Sequence, residues 1–175
     1  MWIFKNYHLL SDEEHKELLH VRNEPQILQA SKNSSKITLN DHLRWLKTLG
    51  EDRYYFALFI DDKIVGGLNV TYSDSSVTNW GIFFSKNTKP LISSMATYIF
   101  IEKMFQKADI LYSEVNRSNT QAIKFNKFFA IEIYDEDNQY YKLRLTKEVW
   151  REKSTSLGII RKRLKSVEYK FLGDL

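Results

Sequence analysis

The sequence predicts one α+β domain with a mixed, mostly antiparallel sheet of six to seven strands flanked by helices. The chain has 175 residues, which suits one domain with a core and is too short for two ordinary ones. Hydrophobic residues make up 43% and charged residues 27%, as is typical of a globular chain. The hydrophobic patterns run strand, two or three helices, three strands, helix, strand, helix, two strands. This order combines a strand meander with helical crossovers, so we expect a mixed sheet.

The first quarter of the chain predicts a strand followed by helices. A strand begins at Trp2, and Ser11 with Glu14 three residues later is a capping-box pattern that starts a helix running to about Arg22. Pro25 ends that helix, because the residue before a proline avoids helical backbone angles.

Two further helices are expected before the meander. A short one covers residues 25–30, and a longer one begins at an Asn40 cap and ends at Gly50, with its apolar side chains on one side. The loop over 31–36 is polar.

Three consecutive strands then form the predicted meander. Residues 54–60 are a buried-strand run, the pair Asp61-Asp62 makes a tight turn, and 63–70 return as the hairpin partner. After a second turn over 73–76, residues 77–84 form the third strand.

The second half alternates helices and strands. Pro90 suits a helix start, and the helical pattern runs to residue 105. A strand over 110–115, a helix over 119–129 and a final strand pair over 131–134 and 140–145 follow.

The C-terminal segment is expected to be a separate appendage, so the chain divides into a domain at 1–149 and a basic helical tail at 150–175. The apolar residues of this segment predict one extra amphipathic helix that packs on the body; they are Leu157, Ile159, Ile160 and Leu164. Residues 151–175 hold seven Lys or Arg and three Asp or Glu, so they account for the whole net charge of +4. Docking to a membrane surface or to nucleic acid is the alternative role of this tail.

Composition excludes several chemistries. The chain has no cysteine, which rules out disulfides and a cysteine nucleophile, and its four histidines show no metal-site spacing, so no metal is expected. No apolar run approaches the length of a membrane span, and no signal peptide is visible, which predicts a cytoplasmic protein. Because the first 150 residues are neutral, nucleic acid is not expected as a main partner.

Three segments carry a resemblance to a known family: Arg22-Asn23-Glu24-Pro25 together with Asp41-His42-Leu43-Arg44-Trp45-Leu46, then Val115 to Phe125, then Ile133 to Asp137. With the element order, they resemble the GNAT N-acetyltransferases. Within that superfamily they are similar to the enzymes that acetylate nucleotide-linked 4-amino sugars, such as those of the pseudaminic-acid pathway. The resemblance covers about residues 1–148.

The resemblance implies acetyl-CoA as the acyl donor and a set of residues that hold it. The strand at Ile82, Phe83 and Phe84 would pair with the pantetheine arm, and Asn119 would meet it from the next helix. The diphosphate would bind free amides at a helix N-terminus. The residues implied there are Lys89, Ile92, Ser93 and Ser94, and a plain helix start is the structural alternative for Pro90 to Ser94.

Two departures from the family's pattern concern the chemistry. The family's tyrosine acid, seven residues after the helix-opening asparagine, is Asn126 here, and an amide has no proton to give. The phosphate turn also lacks the family's glycines, since no glycine occurs between Gly81 and Gly158. The family's glycine four residues after the tyrosine is Ala130.

Candidate residues for the acceptor side follow from the same resemblance. Glu114, His42 and a water molecule are the candidate bases. The structural alternative for Glu114 is a solvated strand end, and for His42 an exposed or backbone-bonded helix residue. Arg22, Trp45 and Trp80 are candidate substrate contacts, with core packing as the alternative for both tryptophans.

The resulting functional prediction is an acetyl-CoA-dependent N-acetyltransferase acting on a small amine by direct transfer. A nucleotide-linked 4-amino sugar is the expected acceptor. A catalytically impaired binding module of the same fold is the alternative, and a homodimer is left open.

Overall fold

An eight-stranded mixed sheet runs through the computed structural model, which describes residues 1–173. The strands are β1 (Trp2–Asn6), β2 (Arg53–Ile60), β3 (Lys63–Ser73), β4 (Ser76–Phe84), β5 (Ile110–Asn116), β6 (Glu132–Glu136), β7 (Tyr140–Thr146) and β8 (Tyr169–Leu172). Their order across the sheet is β6-β7-β5-β4-β3-β2-β1-β8. The pairs β4–β5 and β1–β8 are parallel and the others are antiparallel, which confirms the predicted mixed, mostly antiparallel sheet.

Helices cover both faces of this sheet. They are α1 (Asp12–Arg22), α2 (Pro25–Ala30), α3 (Leu39–Leu46), α4 (Pro90–Met104), α5 (Thr120–Phe128), α6 (Lys147–Ser156) and α7 (Gly158–Leu164), with a 3-10 turn at Tyr7–Leu9. No helix among residues 1–173 combines the length and apolar character that crossing a bilayer requires.

Each face of the sheet has its own apolar cluster. The principal core brings α4, α6 and α7 against side chains such as Phe4, Phe56 and Leu111. The second cluster lies on the other face, where α1 and α3 cover Ala57 and Phe59. Side chains alternate between the faces along each strand, so each strand residue belongs to one cluster or the other.

Of the predicted helix caps and the predicted hairpin turn, the structure confirms two and contradicts one. The capping box is confirmed, since Ser11 Oγ accepts from the Glu14 amide at 3.3 Å and the Glu14 carboxylate accepts from the Ser11 amide at 2.7 Å. Asp61 and Asp62 both have positive φ, as the tight hairpin turn requires. The predicted Asn40 cap of α3 is wrong. Thr38 caps this helix, because its hydroxyl accepts from the Asp41 amide at 3.1 Å.

The C-terminal segment differs from the single helix predicted for it. The chain breaks at Leu157, so two helices form, and the boundary expected at residue 150 falls inside α6. Trp150, Leu157 and Ile160 are buried in the principal core, whereas Ile159, predicted with them, is 75% exposed.

An unpredicted eighth strand then completes the sheet. β8 pairs in parallel with the outer edge of β1, and the Phe171 ring stacks on Phe4 at 4.5 Å between centroids. The free edge of β1 offers hydrogen-bonding groups that a local sequence pattern does not reveal.

Candidate active site

A wedge-shaped gap separates β4 from β5 in the middle of the sheet. The two strands pair at Ser76–Ile110 and at Val77–Leu111, and no further pair occurs between them in the described chain. The register of β4 against β3 shifts at this point, where Thr78 is an extra residue between the pairs Thr71–Asn79 and Tyr72–Val77. Such a bulge bends its strand, which explains why β4 leaves β5 here. The edge of β4 that faces β5 is therefore unpaired from Thr78 to Phe84.

The end of β4 holds the three residues predicted to pair with pantetheine. Ile82 and Phe84 pack against the principal core, whereas Phe83 lies on the face of α1 and α3. A strand with a free edge beside a gap can pair with an extended amide-containing ligand. The pairing of this backbone with pantetheine stays a prediction.

The turn after β4 is tied to α2 by Glu24. This carboxylate accepts from the Ser85 hydroxyl at 2.7 Å and from the Lys86 amide at 2.8 Å. Burial raises the pKa of Glu24, but the hydrogen bonds from Lys86 and Ser85 outweigh it and leave the pKa below its usual value. These two donors are consequently satisfied by the protein itself.

The N-terminus of α4 is the predicted diphosphate site, and several of its donors are already used. The Ile92 and Ser93 amides donate to the Lys89 carbonyl at 2.9 and 3.2 Å, and the Ser93 hydroxyl donates to the Pro90 carbonyl at 2.9 Å. Lys89 is exposed at the cap position, Ser94 is half-buried, and Leu91 is 39% exposed. Proline at the first position has no N–H. A phosphate bound at this turn would therefore contact the positive charge of Lys89 and few free backbone amides.

Helix α5 begins just after β5, at the end of this strand where the gap from β4 is wide. The Asn119 side chain caps it by accepting from the Ala122 amide at 3.0 Å. Asn126 is half-buried two residues before the end of the helix, and its carbonyl accepts from the Phe129 and Ile131 amides. Ala130 has φ +60, so this position needs the backbone conformation that glycine adopts most easily.

A cleft of about 300 Å³ opens where β4 and β5 diverge. It is lined by Lys32, Thr78, Asn79, Tyr112, Ser113, Glu114, Tyr134 and Lys142. Leu111 and Val115 point into the principal core, so alternation along β5 places Tyr112 and Glu114 on the face of α1 and α3. The Glu114 carboxylate accepts from Lys32 Nζ at 2.5 Å.

A histidine pair lies on the same face of the sheet. His42 is buried and its Nε2 lies 3.0 Å from Nδ1 of the buried His15. Burial, and then the neighbouring His15, lower the pKa of His42 to about 4, so it is neutral at pH 7. The structural alternative given for His42, an exposed or backbone-bonded residue, is wrong because the partner is a side chain on α1.

Aromatic rings surround this pair. Trp45 lies 5.6 Å from the His42 ring and 4.7 Å from the Tyr55 ring, and Tyr7 contacts both. Trp80, by contrast, is 6% exposed in the principal core, on the other face of the sheet. Trp45 and Trp80, predicted together as substrate contacts, are thus separated by the sheet, and Trp80 packs as a core side chain.

Arg22 is an incompletely paired cation near the end of β4. Its guanidinium lies 5.7 Å from the Phe83 ring centroid, and Nη1 is buried without a hydrogen-bond partner in the described structure. A buried donor without a partner is unfavourable, and an anionic ligand is one way to satisfy it.

Sequence reasoning missed several residues of the cleft. Lys32 is 82 positions from Glu114, and the rings of Tyr112 on β5 and Tyr134 on β6 lie 5.6 Å apart across the intervening strand β7. None of these contacts has a sequence spacing that predicts it. Tyr112 could have been predicted from Glu114, because residues two positions apart on a strand lie on the same face of the sheet.

Comparisons with known proteins show which family the chain belongs to. No protein-family model matches the chain. The acetyltransferase PseH of Campylobacter jejuni strain 81-176 is 30% identical over 147 residues, which cover 81% of this chain and 91% of that protein. The chain belongs to the PseH family of GNAT N-acetyltransferases.

Solved structures support the same assignment. The crystal structure of C. jejuni PseH in complex with acetyl coenzyme A is 25% identical, with a TM-score of 0.69 over 84% of this chain and 99% of that one. The structure of apo FdhC, described as a nucleotide-linked sugar GNAT, is 15% identical with a TM-score of 0.70 over 86% of this chain and 90% of that one. The FdhC likeness shows the shared fold alone. The PseH family membership confirms the predicted family and fold.

Proposed function

We propose that this protein transfers the acetyl group of acetyl-CoA to the amine of a nucleotide-linked amino sugar, by direct attack in a ternary complex. The observation that carries the proposal is the gap that opens between β4 and β5 at the Thr78 bulge. It leaves a free strand edge for the cofactor and adjoins a cleft for the acceptor. PseH relatives, one of them solved with acetyl-CoA, support the proposal.

The cofactor would lie along the free edge of β4. Its pantetheine amides would pair with the backbone of 82–84, and Asn119 would approach from α5. The diphosphate would lie at the start of α4, near the Lys89 charge and the half-buried Ser94. Because the Ile92 and Ser93 amides already have acceptors, we expect Lys89 to supply much of the attraction.

The transfer step needs a neutral amine and a polarised thioester. The amine nitrogen attacks the thioester carbonyl carbon, the C–S bond breaks, and the amine's proton passes to Glu114 or to water. Backbone amides near Phe83 and Phe84 would stabilise the oxyanion. The leaving thiolate would accept a hydrogen bond from the Asn126 amide and take its proton from water, because the amide cannot act as an acid.

The acceptor would lie on the face of α1 and α3. The incompletely paired Arg22 guanidinium would bind the diphosphate of a nucleotide, and the Trp45 ring lies on the same face for contact with an apolar part of the acceptor. Glu114 is preferred to His42 as the base. The His42 side chain is buried, and its Nε2 is already in contact with His15.

The alternative is a binding module with impaired chemistry. Asn126 in place of an acid and the scarcity of free amides at the start of α4 favour it. In that case acetyl-CoA would bind without turnover on any amine.

A thiol-release assay with acetyl-CoA and a panel of 4-amino sugar nucleotides tests the proposal, together with calorimetry of acetyl-CoA binding. We expect turnover with at least one member. Arg22→Met should raise the acceptor KM roughly tenfold or more, as expected for the loss of a charge-assisted contact, whereas Arg44→Met, on an exposed pair with Asp41, should not. Binding of acetyl-CoA with no turnover on any amine would favour the binding module.

A further inference from the structure

Lys32 places a primary ammonium inside the cleft at the β4–β5 divergence. Lys32 lies in the loop between α2 and α3 and lines the cleft. Its Nζ donates to Glu114 Oε2 on β5 at 2.5 Å. The same Nζ lies 4.8 Å from the centroid of the Tyr140 ring on β7. A carboxylate and an aromatic face together make a site that selects a cation.

The ion pair between Lys32 and Glu114 is exposed. The Lys32 side chain is 67% accessible and that of Glu114 is 37% accessible. Exposed ion pairs contribute little to folding, because the two charges are solvated when apart. A long, flexible lysine stem can therefore leave this position without disturbing the fold.

We propose that Glu114 and the Tyr140 ring form the subsite for the acceptor's ammonium group, and that Lys32 occupies this subsite until the acceptor displaces it. The proposal rests on the proposed function and names the residue that the amine must replace. Lys32 is then a specificity-determining residue. An acceptor with an ammonium gains the carboxylate that Lys32 gives up, whereas an acceptor with a hydroxyl at the same position gains no such contact.

Displacement also fits the chemistry of the transfer. The acceptor's ammonium must lose one proton to water before its nitrogen can attack, and Glu114, already in contact with that nitrogen, is placed to take the second proton, which the attack releases. Lys32 in its displaced position keeps its positive charge in solvent. No atom of Lys32 takes part in bond making.

Calorimetry with a matched pair of ligands tests the proposal without requiring turnover. UDP-4-amino-4-deoxyglucose carries the ammonium, and UDP-glucose carries a hydroxyl in its place. We expect Lys32→Met to lower the Kd of the amine roughly twofold to fivefold, the factor that an exposed ion pair represents, and to leave the Kd of UDP-glucose unchanged. Lys16→Met removes a similar exposed bridge, to Glu13 on α1, and should change neither value.

A double-mutant cycle isolates the role of Glu114. Glu114→Gln should weaken binding of the amine and not of UDP-glucose, and adding Lys32→Met to it should have no further effect. An equal change for both ligands, no change with Lys32→Met, or no binding of the amine to either form would overturn the proposal.

Failure of this inference and failure of the proposed function are distinguishable. If the wild-type chain acetylates a member of the amine panel but Lys32→Met leaves the amine preference unchanged, the displacement idea alone is wrong. If no amine is acetylated although the amine binds and the cycle behaves as described, the subsite stands and the proposed reaction is wrong.

Discussion

Gly66 is the position where a single methyl group should disturb both the fold and the cofactor strand. It lies on β3 opposite Phe84, and a Cβ built there would be 2.3 Å from the Phe83 carbonyl oxygen and 2.7 Å from Cδ1 of Phe84. A carbon and a carbonyl oxygen normally stay at least about 3.3 Å apart. In Gly66→Ala the end of β4 must therefore move by roughly 1 Å, because the obstacle is backbone and cannot rotate away.

The expected cost is that of overpacking, about 1–3 kcal/mol of unfolding free energy. At about 2–4 °C per kcal/mol for a chain of this size, the Tm should fall by a few degrees or more. A shift of this size next to the thioester should also lower kcat/KM for acetyl-CoA roughly tenfold to hundredfold.

Thermal unfolding and thiol-release kinetics measure the two effects of Gly66→Ala. Gly158→Ala is the matched control, because a Cβ there meets nothing within 4 Å and alanine favours the helix. The control should be as stable as the wild type or slightly more so. An unchanged Tm for Gly66→Ala would refute the close packing of β3 on β4, and a lower Tm with unchanged kinetics would refute the placement of the cofactor beside Phe83.

Three further predictions concern chemistry, pH and strain. Asn126→Tyr should raise kcat in the thiol-release assay by roughly 10²-fold, and an unchanged kcat would mean that proton delivery does not limit the rate. Ala130→Gly should raise the Tm by about 2–4 °C, because φ +60 costs an alanine about 1 kcal/mol; no rise in a thermal melt would argue against this strain. The pKa of His42 is lowered to about 4, so the unfolded chain binds more protons between pH 6.5 and 4 and stability falls as the pH falls through that window. Urea unfolding should show a flatter pH dependence in His42→Phe, and an unaltered slope would contradict the buried neutral histidine.

Local signals in the sequence predicted most of the elements. The capping box at Ser11 depends on two residues three positions apart, and the tight turn at Asp61-Asp62 depends on two adjacent residues. The meander follows from strand patterns that adjoin in sequence. These interactions are short-range, so the order of residues alone specifies them.

Contacts between residues far apart in the sequence could not be predicted from these local patterns. The bulge at Thr78 depends on how β3 and β4 twist together, and the bond from Lys32 to Glu114 joins positions 82 residues apart. β8 forms because β1 has a free edge, which no local pattern near Tyr169 indicates. The family has a glycine at the position of Ala130, and the backbone there is left-handed, the conformation that glycine adopts most easily.

The buried histidine pair shows a similar limit. His15 and His42 lie on different helices, and their 3.0 Å contact depends on the packing of α1 against α3. Their spacing within the sequence matched no metal motif, and no group of three or more His, Asp or Glu side chains suited to a metal occurs in residues 1–173. Polar residues in a helix can thus pair in a buried layer without a sequence signature.

The structure of the protein crystallised with acetyl-CoA tests the central claim most directly. The account predicts pantetheine in the gap that begins at Thr78, paired with the β4 backbone over 82–84, and the thioester directed toward Glu114. Density for the cofactor elsewhere, or β4 and β5 paired along their full length in that crystal, would contradict it.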